Sequence, residues 1–371
     1  MTFEQFGLDS RLQQAISEMG FTSPTPIQQQ TLAKLLTEKT DLIGLAQTGT
    51  GKQQHLVYQC HNIDSESRTI QGLILSPTRE LGMQISKDMV NYGKHMKGLK
   101  VVAVYGGARI DQQIKDIRNG CQVIVATPGR LVDLIERKAI DLSNVQITVL
   151  DEADEMLNMG FKDDLDFILD KTPKTKNTWL FSATMPREVA QIAKRYMESP
   201  MELSAGNKNE GADNIEHVYY VVQGRNRYAA LKRVVDSNPD IFGIIFCRTR
   251  AETQEVADGL IKDGYSADSL HGDLSQSQRD FVMKRFRARS LQMLVATDVA
   301  ARGIDVNDIT HVINYNLPEE TENYTHRSGR TARAGKKGKS IAIVTSKDLG
   351  RIRDIERIIK KHLLKEVFYR C

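Results

Sequence analysis

The sequence predicts an α/β protein of two similar lobes, each a parallel sheet with helices on both faces. Apolar, β-branched segments of strand length alternate with helical patterns along the chain, and this alternation is typical of parallel sheets that are buried on both sides. The chain has 371 residues, which is too long for one ordinary hydrophobic core, so we expect two domains.

The strands are predicted from short apolar segments. In the first half these are DLIGLA, GLILSP, VVAVYGG, QVIVATPGR, ITVLDEAD and TWLFSAT, and in the second half HVYYVV, GIIFCRTR, LQMLVATD, HVINYN and SIAIVTS. Between the halves, LSAGNKNEGADNIEH at 203–217 loses apolar periodicity and gathers Gly, Asn and charge, as exposed linkers do. We therefore expect domains at 1–205 and 217–371, joined by a linker at 206–216. Near the C-terminus, IERIIKKHLLK predicts an amphipathic terminal helix.

A short internal similarity supports two related lobes. VIVATPGR ends one strand with Thr127 shortly before Arg130, and LVATDVAARG ends another with Thr297 shortly before Arg302. Ligands of open parallel sheets gather at the carboxyl ends of the strands. The similarity therefore fits duplicated lobes whose strand ends face one cleft.

The composition is that of an ordinary globular protein. Charged residues make up 26% of the chain, the formal net charge is +4, and the apolar runs are far shorter than a membrane span. The N-terminal MTFEQFGLDS lacks a basic segment followed by an apolar one, so we expect a cytoplasmic protein that contacts no membrane. Cys60, Cys121, Cys247 and Cys371 lack paired spacing, which argues against a zinc site or a disulfide framework.

The segment AQTGTGKQ, from Ala46 to Gln53, follows an apolar strand and precedes a predicted helix. Gly49 and Gly51 would let backbone N–H groups converge on phosphate oxygens, and Lys52 would add a charge for the outer phosphates. Alone, the segment is equally compatible with a Gly-rich turn, because the general pattern has Gly at position 46 and Ser or Thr at position 53.

The segment VLDEADEML at 149–157 places Asp151 and Glu152 at the end of an apolar strand. Asp151 can hold Mg²⁺ through water, and Glu152 can orient or deprotonate the water that attacks a γ-phosphate. The alternative is an acidic first turn of a helix. The phosphate-loop pattern about a hundred residues upstream favours the metal-binding interpretation.

The segment HRSGRTARAG, which begins at His326, contains Arg327, Arg330 and Arg333. In isolation, a solvated basic turn is the simpler interpretation. In a two-lobed ATPase these arginines would stabilise charge on the transferred phosphoryl group when the cleft closes, which would couple hydrolysis to domain movement.

Together these segments form an ordered set that resembles the DEAD-box RNA helicase core and covers nearly the whole chain. The segments are GFTSPTPIQ (20–28), AQTGTGK (46–52), PTREL (77–81), GG (106–107), TPGR (127–130), DEAD (151–154), SAT (182–184), IIFCRT (244–249), HGDLSQSQR (271–279), ATDVAARGID (296–305) and HRSGRTARAG (326–335). The resemblance implies two tandem RecA-like domains that clamp ATP and single-stranded RNA, with ATP hydrolysis driving local separation of short RNA duplexes.

The resemblance implies a site for ATP and Mg²⁺. Its catalytic residues would be Lys52, Asp151, Glu152, Arg327 and Arg330, with Asp151 as the metal ligand. The implied nucleotide-binding residues are Phe21, Gln28, Ala46, Gln47, Thr48, Gly49, Thr50, Gly51, Lys52 and Asp305. Within an adenine-recognition segment at 1–29, Gln28 would read the adenine edge with its amide, and Phe21 would lie against the base. Phe3 would match an isolated upstream aromatic, and core packing remains the alternative for both phenylalanines.

The resemblance also implies RNA contacts in both lobes. The implied RNA-binding residues are Thr78, Arg79, Gly106, Gly107, Thr127, Gly129, Arg130, Arg248, Gly272, Gln276, Arg279, Thr297 and Gly303. Hydroxyls, glycines and arginines at strand ends suit phosphate and 2′-OH contacts, so binding should be independent of base sequence and sensitive to salt. Ser182 and Thr184, whose hydroxyls would bridge toward DEAD, and His326 are the implied coupling residues. Protein partners cannot be identified from the sequence.

One segment departs from the family. Where the family continues after the lysine with Thr and an apolar helix, this chain has QQHLVYQCH at 53–61. Gln53 lacks the hydroxyl expected to ligate Mg²⁺, and burying the extra amides and imidazoles unpaired would cost roughly 1–3 kcal/mol each.

A shifted reading frame would account for this segment. When one possible DNA sequence for residues 52–60 is translated from its third base instead of its first, it encodes Thr-Ala-Ala-Phe-Gly-Leu-Pro-Val, which is the family-like continuation. We therefore hypothesise a one-base deletion at the lysine codon, compensated near His61. DNA over codons 50–64 in which no single-base shift restores the threonine would exclude this.

Two functions compete. The chain is an RNA-dependent ATPase that unwinds short duplexes, or it is an RNA-binding clamp in which Gln53 impairs ATP hydrolysis. A DNA helicase or translocase with the same lobes is a third interpretation. GFTSPTPIQ and the DEAD tetrad favour RNA, and a strand-preference assay separates RNA from DNA.

If Gln53 is genuine, we predict that Gln53→Thr raises kcat/KM for ATP at least roughly a hundredfold, about 2.7 kcal/mol of transition-state stabilisation, because the hydroxyl supplies a Mg²⁺ ligand. The measurement is ATP hydrolysis by both chains with and without RNA. Equal, robust rates would show that Gln53 does not impair the reaction.

Overall fold

The computed structural model describes residues 2–24, 26–36, 39–45, 60–204, 214–301, 304, 306, 308–321, 323–332 and 336–367. The chain divides into two compact units, Met1–Gly206 (unit 1) and Asn207–Cys371 (unit 2). Across the described ranges, no helix has both the length and the apolar character needed to cross a membrane.

Unit 1 alternates strands with helices after a short 3₁₀ turn at Phe3–Phe6. Its strands are β1 (Leu42–Leu45), β2 (Gly72–Leu75), β3 (Val101–Val104), β4 (Val123–Ala126), β5 (Ile147–Leu150), β6 (Asn177–Ser182) and β7 (Met201–Ser204). Its helices are α1 (Ser10–Glu18), α2 (Pro26–Leu35), α3 (Arg79–Tyr92), α4 (Ile110–Arg118), α5 (Pro128–Glu136), α6 (Ala153–Asn158), α7 (Lys162–Asp170) and α8 (Arg187–Tyr196).

The strands of unit 1 form one parallel sheet in the order β3-β4-β2-β5-β6-β1-β7. Alternate side chains of a strand face opposite sides of the sheet. Leu73 and Leu75 therefore join one apolar cluster with residues from α4, α5, α7 and α8, whereas Ile74 joins a second with residues from α1, α2 and α3. The predicted burial of the sheet on both faces is confirmed.

Unit 2 repeats this plan. Its strands are β8 (Ile215–Val221), β9 (Gly243–Phe246), β10 (Ala267–Leu270), β11 (Met293–Ala296), β12 (His311–Asn314), β13 (Gly338–Val344) and β14 (Leu364–Glu366). Its helices are α9 (Arg227–Asp236), α10 (Arg250–Lys262), α11 (Gln276–Arg287), α12 (Asp298–Ala301), α13 (Asn323–Ser328) and α14 (Leu349–Ile359). The parallel order β10-β11-β9-β12-β13-β8-β14 reproduces that of unit 1 strand for strand. β4 and β11, which end in the similar V-A-T segments, occupy equivalent positions.

Three strands, β7, β10 and β14, are absent from the sequence prediction. Their sequences MELS, ADSL and LKE are short and partly polar, so they lack the continuous apolar run of a central strand. All three lie at an edge of their sheet, where one side of the backbone is unpaired and polar residues are tolerated. Tertiary pairing, rather than local pattern, defines them.

Two predicted boundaries are wrong. The linker at 206–216 extends too far, because Ile215 and Glu216 already belong to β8. The terminal helix IERIIKKHLLK is interrupted after Ile359, where Lys360 adopts a left-handed conformation with φ 53°. The chain then returns to the sheet, and Leu364–Glu366 pair with β8.

Candidate functional site

In each unit, most of the predicted site residues that the structure describes follow the carboxyl ends of the strands. In unit 1 they are Thr78 and Arg79 after β2, Gly106 and Gly107 after β3, Thr127, Gly129 and Arg130 after β4, Asp151 and Glu152 after β5, and Ser182 and Thr184 at the end of β6. In unit 2 they are Arg248 after β9, Gly272, Gln276 and Arg279 after β10, Thr297 after β11, and His326, Arg327 and Arg330 between β12 and β13. Parallel strands end at one edge, so each sheet gathers its own set.

Strand order separates the unit 1 residues into two groups. β3, β4 and β2 are neighbours, and they precede the RNA-binding candidates. β5, β6 and β1 are also neighbours, and they precede the carboxylates, SAT and the phosphate-loop segment. The sheet thus brings β1, which is distant in sequence, beside the strand that ends in SAT. The predicted residues Ala46, Gln47, Thr48, Gly49, Thr50, Gly51, Lys52, Gly303 and Asp305 lie outside the described residues, as does Gln53.

Asp151 and Glu152 form a buried turn between β5 and α6, with exposures of 7% and 5%. The backbone N–H of Asp151 extends the hydrogen bonding between β5 and β2 by donating to Leu75 O at 2.9 Å. Glu152 N donates to Asp151 Oδ1 at 3.0 Å. Glu152 has φ 53°, a left-handed conformation that costs free energy for a residue with a Cβ and is frequent at functional turns.

Asp154 connects DEAD to SAT. Its N–H donates to Ser182 Oγ at 3.3 Å, and its Oδ2 accepts hydrogen bonds from Ala183 N at 3.1 Å and from Thr184 N and Oγ1, both at 2.8 Å. The side chain is almost fully buried, where hydrogen bonds to a charged group are strong. The sequence prediction omitted Asp154, because the pattern gives no sign of which strand its carboxylate contacts.

Two RNA-binding candidates of unit 1, Arg79 and Arg130, contact residues that follow β3. The Arg79 guanidinium lies 4.6 Å from the centroid of the Tyr105 ring, which joins the ends of β2 and β3. Arg130 donates to Ala108 O at 3.2 Å and to Gln113 Oε1 at 2.7 Å. Arg130 therefore holds the loop after β3, in which Gly106 and Gly107 are exposed.

The aromatic residues of the N-terminal segment differ in environment. Phe3 is buried and packs in the second apolar cluster of unit 1, so core packing accounts for its presence. Phe21 is 47% exposed, which leaves much of its ring available for stacking. Gln28 lies half-buried in α2.

In unit 2, Arg327 is the centre of a buried network. Its Nε and Nη2 donate to the two carboxylate oxygens of Asp298 at 2.5 and 2.6 Å, and its Nη1 donates to Asn314 Oδ1 at 2.9 Å and to Asn316 O at 2.7 Å. Its guanidinium also lies 4.8 Å from the Phe246 ring centroid. These contacts of Arg327 join α13 to the ends of β9, β11 and β12.

The other candidates of unit 2 surround this network. Arg330 is buried and donates to Ile304 O at 3.1 Å. Since Arg327 and Arg330 are 3% and 5% exposed, the solvated-turn interpretation is wrong for both. Arg248 has an exposed side chain, and its backbone N–H donates to Asn316 Oδ1 at 2.9 Å. Asn316 thus links Arg327 to the RNA-binding candidate after β9.

The remaining candidates lie at the surface or in the first turns of helices. Gln276 Nε2 donates to Asp280 Oδ1 at 2.9 Å. Thr297 Oγ1 accepts from Ala300 N at 3.4 Å at the start of α12. Gly272 is exposed beside the Arg250 side chain, and His326 is half-buried.

Two family models match the chain. One, described as DEAD/DEAH box helicase, covers residues 25–192, and the other, described as helicase conserved C-terminal domain, covers residues 226–335. The chain belongs to the DEAD/DEAH box helicase family. The DEAD tetrad and the arginine segment described above lie within these two matches.

Named relatives of this DEAD-box chain are similar over nearly its whole length. The DEAD-box ATP-dependent RNA helicases CshA of Bacillus cereus and Bacillus subtilis are 42% and 43% identical over 98% of the chain, which spans 69% and 73% of those proteins. The structure of Saccharomyces cerevisiae Dbp5 bound to RNA and ADP BeF3 is 29% identical, with a TM-score of 0.89 over 98% of this chain and 95% of that one.

For this DEAD-box helicase we predict that Arg327→Lys destabilises unit 2 by about 3 kcal/mol, because lysine keeps the charge but cannot bridge Asp298 and both asparagines. Calorimetric unfolding of the variant is the measurement, with the exposed Arg225→Lys as the control. Loss of ATPase activity with unchanged unfolding would show that Arg327 acts only on the nucleotide.

Proposed function

We propose that the chain is an RNA-dependent ATPase that separates short RNA duplexes. The observation that supports this best is the Asp154 network, which joins the Asp151–Glu152 turn to SAT at the sheet edge next to β1. Family membership and the names of the relatives, which are ATP-dependent RNA helicases, agree with it.

The residues present fit ATP with Mg²⁺. Among the described residues, no three His, Cys, Asp or Glu side chains are grouped so as to hold a metal ion alone. Mg²⁺ keeps several waters and takes ligands from phosphates, so it needs few protein ligands. Asp151 would hold the ion through water, and Lys52 would contact the outer phosphates. When bound, Mg²⁺ would neutralise charge that develops on the phosphates.

Glu152 would orient the attacking water and accept its proton. Glu152 lies in the left-handed turn at the end of β5, and the residue is 5% exposed, so its backbone position is defined before substrate binds. Arg327 and Arg330 would supply positive charge from unit 2. Because both are already held by protein groups, their contribution would be preorganised charge rather than a freely moving side chain.

RNA would bind through its backbone. Gly106 and Gly107 are exposed and follow Tyr105, whose ring Arg79 contacts, and Arg248 is exposed in unit 2. These groups suit phosphates and 2′-hydroxyls and do not read bases, so affinity should be independent of sequence and should fall as salt rises, by about 0.7 in log–log slope for each phosphate contacted. The free cysteines Cys60, Cys121 and Cys247 favour a reducing, cytoplasmic location.

The decisive experiment compares the chain with Glu152→Gln. We predict RNA-stimulated ATP hydrolysis that falls at least roughly a hundredfold in the variant, because the amide cannot accept the water's proton. RNA affinity in the presence of a non-hydrolysable ATP analogue should be unchanged. The control is Glu136→Gln, which removes an exposed carboxylate from the same unit.

The same hydrolysis and binding assays also distinguish the ATPase from the clamp and from the DNA helicase. If the chain binds RNA without hydrolysing ATP, whereas Gln53→Thr hydrolyses it, the chain is a clamp in which Gln53 impairs hydrolysis. Stimulation by single-stranded DNA as strong as that by RNA would support the DNA-helicase interpretation.

A further inference from the structure

A polar side chain interrupts the apolar stripe of α4. Ile110, Ile114 and Ile117 pack with the apolar cluster that α4 shares with α5, α7 and α8, and the helical spacing places Gln113 on the same face. Gln113 is 6% exposed. A buried amide destabilises a fold unless its donor and its acceptor are both hydrogen-bonded, so the partners of Gln113 indicate what this residue does.

The two halves of the Gln113 amide are hydrogen-bonded to different loops. Nε2 donates to Tyr105 O at 3.2 Å, in the loop after β3, and Oε1 accepts from Arg130 Nη1 at 2.7 Å, in the first turn of α5. A carbonyl oxygen only accepts and a guanidinium only donates, so a group between them must offer one donor and one acceptor, as an amide does. Gln113 therefore connects the residues that follow β3 with those that follow β4.

The groups that Gln113 connects belong to the RNA-binding candidates of unit 1 or lie next to them. Tyr105 directly precedes the exposed GG segment, and its ring lies 4.6 Å from the Arg79 guanidinium. Arg130 is itself a candidate. Because β2, β3 and β4 are neighbours in the sheet, Gln113 is connected, directly or through Tyr105, to candidates that follow three adjacent strands.

Arg130 uses one edge of its guanidinium for contacts within the protein. Nη1 and Nη2 both donate to Ala108 O at 3.2 Å, and Nη1 also donates to Gln113 Oε1. Among the described residues, none accepts a hydrogen bond from Nε or a second one from Nη2. These two donors form the other edge of the planar group, which can bind two oxygens of one phosphate. The side chain is half-buried, so its orientation is fixed from the protein side.

We propose that Gln113 is a positioning residue for RNA binding, an inference that rests on the proposed function. Its amide holds Arg130 against the loop after β3, so that the Nε edge of the guanidinium meets a backbone phosphate in a defined orientation. Gln113 does not contact RNA itself, because it is buried and both halves of its amide are occupied. Such preorganisation reduces the entropy lost when a side chain is immobilised on a ligand.

The test measures the affinity of the full chain for a fluorescent single-stranded RNA at several salt concentrations, with a non-hydrolysable ATP analogue present. Gln113→Met keeps the length of the side chain and removes both hydrogen bonds. We expect RNA binding to weaken about tenfold, as for one hydrogen bond to a charged group. The log–log salt dependence should become shallower by at most about 0.7, the contribution of one phosphate contact. Partial unfolding alone would lower the active fraction and leave this slope unchanged.

Two controls separate positioning from general disruption. Gln112→Met makes the same chemical change at the exposed neighbour, whose Nε2 donates to Asp116 Oδ1 at 2.8 Å within α4, and it should leave RNA affinity unchanged. In an Arg130→Gln background, Gln113→Met should cause no further loss, because both changes remove the same contact. Calorimetric unfolding verifies the fold of each variant. If Gln113→Met does not fold, Gln113→Asn, which keeps the amide but shortens its reach, replaces it with the same expected direction.

Equal RNA affinities of the Gln113→Met and Gln112→Met variants, an unchanged salt slope, or losses that add in the Arg130→Gln background would overturn this inference while the chain still binds RNA. An unaltered chain that binds no RNA would overturn the proposed function as well. The readout is RNA affinity, so the test also applies to a chain that binds RNA without hydrolysing ATP.

Discussion

The carboxylate of Asp154 fixes the loop after β6 to the turn after β5, and the geometry of the unit 1 site depends on that contact. Three donors from Ala183 and Thr184 converge on one oxygen, and the backbone of Asp154 donates in return to Ser182. A buried charge is stable only while these donors are in place. A movement of SAT would therefore act on the turn that holds Asp151 and Glu152, and under the proposed function this contact would connect strand separation with hydrolysis.

In unit 2 a buried residue of the opposite charge, Arg327, has the equivalent position. Arg327 occupies the carboxyl edge of its sheet, and its guanidinium holds Asp298, Asn314 and Asn316 together. In each unit one buried charged side chain joins neighbouring strand ends: Asp154 joins those of β5 and β6, and Arg327 joins those of β9, β11 and β12.

Much of this organisation is predictable from sequence, because it depends on local pattern. Apolar runs identify the central strands, and ordered motifs identify the residues at their ends. Strand order is a tertiary property, so the neighbouring positions of β1 and β6 and the edge strands β7, β10 and β14 are not predictable in this way. Arg130 shows the same limit: its motif predicts RNA contact, whereas its contacts with Ala108 and Gln113 appear only when β3 and β4 are paired.

The central claim is that Asp154 and Thr184 act as one unit, and a double-mutant cycle tests it directly. RNA-stimulated ATP hydrolysis and duplex unwinding would be measured for Asp154→Asn, Thr184→Val and the double variant. If the residues are coupled, the double variant loses no more activity than Asp154→Asn alone, with an interaction energy of about 1 kcal/mol or more. Losses that simply add would contradict the claim.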